Sequence, residues 1–261
     1  MFDFHLHSRV SFDGRDTGLN IAKAAINAGL KEICFTDHMD YDPLHSAHKL
    51  AFDLQDYNKE YCSLEVPGLV IRRGFEFGML PDNMEQFQKD ISHRSWDFVI
   101  GSVHFVDGLD VYFDEYWQGK TPHQAILRSF EETLQCVMNH DEYDVLGHLS
   151  YLGKCNANPE KTPILYKDYR EVTDEIFKVL AQRGKGIECN TSGLDRCGTF
   201  LPDEAFLRRF KELGGEIVTV GSDAHHSNRV GQYCPEAIRM VQEIFGYVCT
   251  FADRKPQFHR V

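Results

Sequence analysis

Long apolar runs are missing from this 261-residue chain. None approaches the ~20 residues a helix needs to cross a bilayer, so no membrane partner is expected. Basic residues are scarce as well: 28 Lys and Arg stand against 40 Asp and Glu, a net charge of -12. An acidic surface argues against broad binding to nucleic acid or anionic lipid. It leaves a small anionic substrate open, because clustered metal ions would dominate the local field. No Cys-x-x-Cys pair occurs among the eight cysteines, at 34, 62, 136, 155, 189, 197, 234 and 249. No basic segment followed by an apolar stretch opens the chain, so a secretory signal is not expected. Reduced thiols in a cytoplasmic protein are expected from both observations. Interior linkers of low complexity are also lacking, and the length suits one domain over residues 1–261.

What the chain has in excess is histidine, thirteen in all. The organising stretch is Asp3-Phe-His-Leu-His7. Its alternation reads as a short buried strand that turns His5 and His7 to the same side. Two neighbouring imidazoles can hold one metal ion. On its own such a pair is more often a polar strand face than a ligand pair, and the later strands decide.

Strand and helix alternate about seven times. The strands are expected at Asp3–His7, Glu32–His38, Leu69–Glu76, Trp96–His104, Tyr143–His148, Gly186–Asn190 and Glu216–His225. Helices are expected at Thr17–Leu30 (capped by Thr17), Asp82–Ser92, from Thr121-Pro122 onward, and at Lys167–Gln182, Asp203–Leu213 and Glu236–Phe245. Residues 41–65 read as an irregular or helical insertion. Residues 105–120 read as an aromatic-rich loop long enough to be functional. This order predicts an α/β fold with a parallel sheet. A barrel fits better than an open sheet, because the polar strand ends would then meet at one mouth.

Most of those ends carry a histidine, and the third carries Glu76. Nine residues are candidate ligands: His5, His7, Asp13, His38, Glu76, His104, His148, Asp223 and His225. One zinc ion takes about three protein ligands in a catalytic site. Nine therefore suggest two or three ions with a bridging carboxylate, an arrangement suited to in-line displacement at phosphorus.

The motifs His5-Leu-His7, Thr36-Asp-His38, Glu76, His104, His148 and Ser222-Asp-Ala-His225 resemble the PHP (polymerase and histidinol phosphatase) superfamily, in that family's order. Gly101-Ser-Val-His-Phe105, Gly147-His-Leu-Ser-Tyr151 and Glu188-Cys-Asn-Thr-Ser-Gly193 are similar to its histidinol-phosphatase branch. The resemblance implies a distorted (β/α)7 barrel with three divalent ions, zinc foremost, with manganese and iron as alternatives. It places one ion on His5, His7, Glu76 and Asp223. A second falls on Glu76, His104 and His148, and a third on Asp13, His38 and His225. Asp13 stands where many relatives carry histidine, in a Phe12-Asp-Gly14 turn where aspartate is common for structural reasons.

By the same resemblance Arg196 holds the phosphate through its planar fork, although an extra residue, Asp195, precedes it. Lys154 matches a position that is often arginine, and Asn190 is a further substrate-side candidate. Glu188 and Asn190 share a strand face and could orient ligands. Asp37 could do the same, or donate the leaving-group proton. The expected reaction is attack on L-histidinol phosphate by a metal-bound hydroxide, giving L-histidinol and phosphate in histidine biosynthesis. Tyr112 to Trp117, with Asp114 and Glu115, form a candidate receptor for a cationic imidazole or amine. The alternatives are another PHP phosphoesterase, a C–N hydrolase of the amidohydrolase type, and a metal-storing barrel without activity. A lysine at a middle strand end would favour the C–N hydrolase, but Glu76 stands there. The oligomeric state is not legible.

Overall fold

The computed structural model of the chain describes residues 1–45, 50–155 and 157–260. Seven parallel strands form a nearly closed barrel: β1 (Phe2–Leu6), β2 (Glu32–Phe35), β3 (Val70–Gly78), β4 (Phe98–Ser102), β5 (Val145–Leu146), β6 (Gly186–Asn190) and β7 (Val218–Gly221). They pair in chain order, and a two-residue strand, His38–Met39, adds to β3. The seam between β1 and the end of β7 is closed by a bridge from Leu6 to Ala224. There the His7 amide donates to the Ala224 carbonyl at 3.0 Å, and the Asp223 amide to the His5 carbonyl at 2.9 Å.

Asp3 fastens the same seam. Its Oδ1 accepts from the Ser222 amide at 2.8 Å, and its Oδ2 accepts from Ser222 Oγ at 2.5 Å and the Gly231 amide at 2.8 Å. Gly221 lets the two strands approach, since a Cβ there would lie 2.3 Å from His5 Cβ.

Helices return the chain between strands. Thr17 caps Gly18–Asn27, Asp203 caps Glu204–Glu212, and Thr121 with Gln124 forms a reciprocal capping box on Pro122–Asn139. The remaining long helices are Met84–Ile91, Arg170–Gln182 and Cys234–Phe245. Part of the 41–65 insertion is the helix Leu54–Tyr61. No helix among the described residues is long and apolar enough to cross a membrane. All eight cysteines are free thiols, and only Cys62 is exposed.

The faces of β4 show how the core divides. Val99 packs in the large core that the helices share, whereas Phe98 and Ile100 join Phe4, Cys34, Val145 and Phe251 in a small cluster containing no helical residue. That cluster fills the barrel interior at the N-terminal ends of the strands. Phe251 comes from a C-terminal hairpin, β8 (Tyr247–Ala252) and β9 (Lys255–Arg260), and its ring lies 4.9 Å from Phe98. Arg254 at the hairpin turn bonds Asp144 at 2.6 Å, just before β5. Above this apolar floor the inward residues become polar: Ser102 on β4, Glu76 on β3 and Glu188 on β6.

The alternation expected along β1 does not hold throughout. Its pairing with β2 slips between Asp3 and Leu6, so Phe4 enters the interior cluster while Leu6 joins the outer core. The 105–120 segment also differs from a bare loop. It holds a small hairpin, Phe105–Val106 with Leu109–Asp110, and the helical turn Asp114–Trp117. Tyr116 and Trp117 are buried there. Tyr116 OH donates to the Ala125 carbonyl at 2.6 Å and Trp117 Nε1 to the Val111 carbonyl at 2.9 Å. Half of the expected aromatic receptor is therefore core, and Phe113 remains 56% exposed.

Candidate metal centre

The strand ends bring the nine candidate ligands to one mouth. Glu76 is fully buried at the centre. Its Oε1 lies 2.7 Å from His148 Nε2 and 3.4 Å from His104 Nε2. Its Oε2 lies 3.3 Å from His5 Nε2, 3.6 Å from His7 Nε2 and 3.1 Å from His38 Nδ1. Asp223 Oδ1 is 3.5 Å from His7 Nε2 and 3.8 Å from His5 Nε2. Asp13 Oδ2 faces His225 Nε2 at 3.1 Å and His38 Nε2 at 3.7 Å. Stacked imidazoles join the groups, with the His7 ring 4.1 Å from His225 and 4.3 Å from His38.

Donor atoms from His5, His7 and Asp223, from His5, Glu76 and His148, and from His7, His38 and His225 each fall within 4.8 Å of one another. Buried polar atoms normally find partners. Here His5 Nε2, His7 Nε2, Asp13 Oδ1, His38 Nδ1 and Glu76 Oε2 are buried with no hydrogen-bond partner. Among the described residues only Arg94 Nε and Tyr143 OH share that condition elsewhere, and the concentration of five such atoms in this cluster fits divalent ions.

The outer nitrogens are held separately. His5 Nδ1 meets Glu188 Oε1 at 2.6 Å, His7 Nδ1 meets Ser11 Oγ at 3.1 Å, and His225 Nδ1 meets the Asp223 carbonyl at 3.0 Å. Fixing Nδ1 in this way directs Nε2 toward the cluster. The charges are mutually dependent. Burial opposes ionisation of Glu76, but His5, His104 and His38 outweigh it and hold the carboxylate well below its usual range. Burial likewise opposes charge on His38, yet Glu76, Asp40 and Asp13 lift it to about 9. On His7 burial prevails, reinforced by His225 and His38, and its pKa falls well below normal.

Asp40 does not figure among the sequence candidates. It sits between His38 and His104, 3.0 Å from one and 3.1 Å from the other. Its position two residues beyond His38 on an extended segment was the available signal.

Two further candidates are tied closely to their surroundings. Asp37 is fully buried, accepting at Oδ1 from the Ser8 amide (2.8 Å) and from the Ser11 amide (3.2 Å) and hydroxyl (3.0 Å). Tyr61 OH donates to its Oδ2 at 2.5 Å and also bonds Ser8 Oγ. Burial raises Asp37 to about 6, and its oxygens fix the loop after β1. Asn190 is also fully buried. Its Nδ2 donates to Glu188 Oε2 at 3.1 Å, and its Oδ1 accepts from the Ser192 amide at 3.0 Å and hydroxyl at 2.6 Å. Its side chain thus ties Glu188 to Ser192.

Lys154 does reach the mouth: its Nζ lies 2.5 Å from Asp223 Oδ2 and 2.7 Å from Ser192 Oγ. Arg196 is exposed on the turn Leu194–Cys197. Asp195 docks that turn by accepting from Arg229 and Tyr233, each at 2.7 Å. His45 and His226 are exposed surface residues.

Comparison with known proteins agrees with this geometry. The PHP domain family matches residues 3–192. A probable histidinol-phosphatase of Clostridium acetobutylicum is 31% identical over 249 residues, 93% of each chain. A histidinol-phosphatase of Lactococcus lactis is 30% identical over 97% of this chain and 95% of its own. The crystal structure of the L. lactis histidinol phosphate phosphatase, complexed with zinc, L-histidinol and phosphate, is 27% identical and superposes with a TM-score of 0.87 over 98% of both chains. The chain belongs to the PHP domain family, on its histidinol-phosphatase branch.

Proposed function

We propose that this chain is a cytoplasmic, metal-dependent phosphomonoesterase that hydrolyses L-histidinol phosphate to L-histidinol and phosphate, acting as one domain over residues 1–261. The observation that carries the reading is the nine-residue donor cluster, six of its members buried, standing on the fold of an enzyme complexed with zinc, L-histidinol and phosphate. The donor set suits three divalent ions: one on His5, His7, Glu76 and Asp223, one on Glu76, His104 and His148, one on Asp13, His38 and His225. Zinc fits the mixed imidazole and carboxylate set, as do manganese and iron. Bound there, such ions supply Lewis-acid neutralisation of the phosphoryl oxygens and a water acidic enough to attack phosphorus near neutral pH.

The chain's own groups bind and orient. Lys154, against Asp223 at the rim, offers an ammonium to a phosphate oxygen. Arg196 offers a planar fork from the neighbouring turn, which Asp195 holds in place. Asn190 fixes Ser192, whose hydroxyl in turn contacts Lys154. Glu188 sets the His5 ring.

Phosphate release from L-histidinol phosphate, beside a panel of other phosphomonoesters and nucleotides, tests the reading. A kcat/KM of ~10⁴ M⁻¹s⁻¹ or more for histidinol phosphate alone, ordinary for an enzyme on its own substrate, is the expected result. Uniformly slow release across the panel would replace it with a phosphoesterase of another substrate. No release from a metal-loaded protein would sink it.

A further inference from the structure

Asp223 is a candidate ligand whose backbone lies in the left-handed region, with φ at 56°. That conformation crowds the Cβ of an L residue against the following carbonyl, and glycine adopts it most freely. Glycine has no side chain to ligate with, so a carboxylate at this position has to be held in place. It is aimed into the cluster: Asp223 Oδ1 lies 3.5 Å from His7 Nε2 and 3.8 Å from His5 Nε2.

The chain pins residue 223 from both sides. Its amide donates to the His5 carbonyl at 2.9 Å, and the next carbonyl, of Ala224, accepts the His7 amide at 3.0 Å. Before it, Ser222 is gripped by Asp3, which is fully buried. Asp3 Oδ1 accepts the Ser222 amide at 2.8 Å and the His5 amide at 3.4 Å. Asp3 Oδ2 accepts the Ser222 hydroxyl at 2.5 Å and the Gly231 amide at 2.8 Å. An ionised carboxylate can take all four, because it only accepts. β7 ends at Gly221, and the seam with β1 closes at the bridge between Leu6 and Ala224. Asp3 therefore holds the stretch between the strand and the bridge.

We propose that Asp3 is a positioning residue of the metal centre, acting through Ser222 to keep Asp223 in the left-handed conformation that turns its carboxylate to the ion of His5 and His7. The proposal rests on the ligand assignment given under the proposed function. It goes further in making that ion depend on a carboxylate whose own bonds go to backbone amides and one serine hydroxyl. A clamp that served the barrel alone would, when lost, loosen all the ligands alike or none of them.

Wild type, Asp3→Asn and Ser222→Ala would each be stripped with chelator and titrated with zinc against a chromophoric competitor. Crystals equilibrated with buffered zinc then give the occupancy of each ion from anomalous scattering at the zinc edge. Asparagine keeps the shape of Asp3 but sets an N–H₂ against donors on one side or the other. Asp3→Asn should bind the ion on His5, His7, Glu76 and Asp223 roughly 10–100-fold more weakly, the range for losing a group that orients a ligand. The ion on Glu76, His104 and His148, carried by strands away from the seam, should keep its wild-type occupancy. Ser222→Ala removes only the hydroxyl contact and should weaken the same ion by a smaller factor. It decides the matter if Asp3→Asn does not fold.

Wild-type affinity for the Asp223 ion in the deciding variant would overturn the proposal and leave the phosphatase reading intact. Equal loss at the two sites would mark a loosened scaffold and also overturn it. A wild-type protein that takes up no zinc would overturn both.

Discussion

Glu188 Oε1 and His5 Nδ1 lie 2.6 Å apart inside the barrel, and the second oxygen of Glu188 accepts the His148 amide at 2.9 Å. One carboxylate on β6 thus orients a ring on β1 and the backbone of a ligand after β5. Gln in its place would turn an amide N–H₂ toward a donor, His5 Nδ1 on one side or the His148 amide and Asn190 Nδ2 on the other. Glu188→Gln is expected to weaken zinc binding by about 10–100-fold, read by competitive chelator titration. Unchanged affinity would mean that packing alone orients His5.

Glu76 is the counter-charge for three imidazoles. His5, His38 and His104 all have raised pKa values, and Glu76 is among the causes for each, set against opposing burial. Removing it strands buried positive charge. In chelator, Glu76→Gln is expected to lose about 3 kcal/mol of stability by urea unfolding, together with the activity. A metal-free variant as stable as wild type would show that the imidazoles are neutral without their partner.

The same charges set a pH dependence. His38 is lifted from 6.5 to about 9 in the folded chain, burial opposing and Glu76, Asp40 and Asp13 prevailing. A raised folded pKa adds stability that is complete below 6.5 and lost as pH climbs through 9. The metal-free protein should therefore lose Tm between pH 6.5 and 9. Zinc must displace the same protons, so its affinity should rise over that window. Calorimetry in buffers of different ionisation enthalpy should detect proton release on binding. No release would remove this account of the cluster.

Lys154 pairs with Asp223 in a site only 14% exposed on the lysine side. A charge-assisted contact to phosphate contributes about 1.5–3 kcal/mol. Lys154→Met should therefore lower kcat/KM by roughly 10–100-fold, and Lys154→Arg should restore part of it. An unaffected kcat/KM would place the phosphate elsewhere.

Much of this was legible before any coordinates. Thr17, Thr121 and Asp203 announce their helices because a cap is a local bond between residues two or three apart. The strand ends could be read because each ligand follows a short apolar run. What escaped depends on which ends are neighbours in space. Asp3 and Asp40 look like ordinary acids, and only the closed seam and the meeting of His38 with His104 give them their work. Both stand two residues from a histidine ligand on extended chain, which was the one clue. The hairpin at 247–260 was harder to see. Its second strand is mostly exposed, and its turn uses Asp253 and Arg254 at positive φ in place of the Asn-Gly or Asp-Gly that signals such turns.

The hairpin that seats Phe251 under the barrel makes the interior a blind well. Nothing can pass through it, so substrate arrives and both products depart over one rim. In the proposed reaction the phosphate is held at the donor cluster, which puts the alcohol toward that rim and releases it first. Inorganic phosphate should therefore be the last to leave and compete directly with incoming substrate, whereas the alcohol should inhibit without competing. Turnover would then be governed by how fast the well empties, a property set by the closed floor as much as by the groups around the mouth.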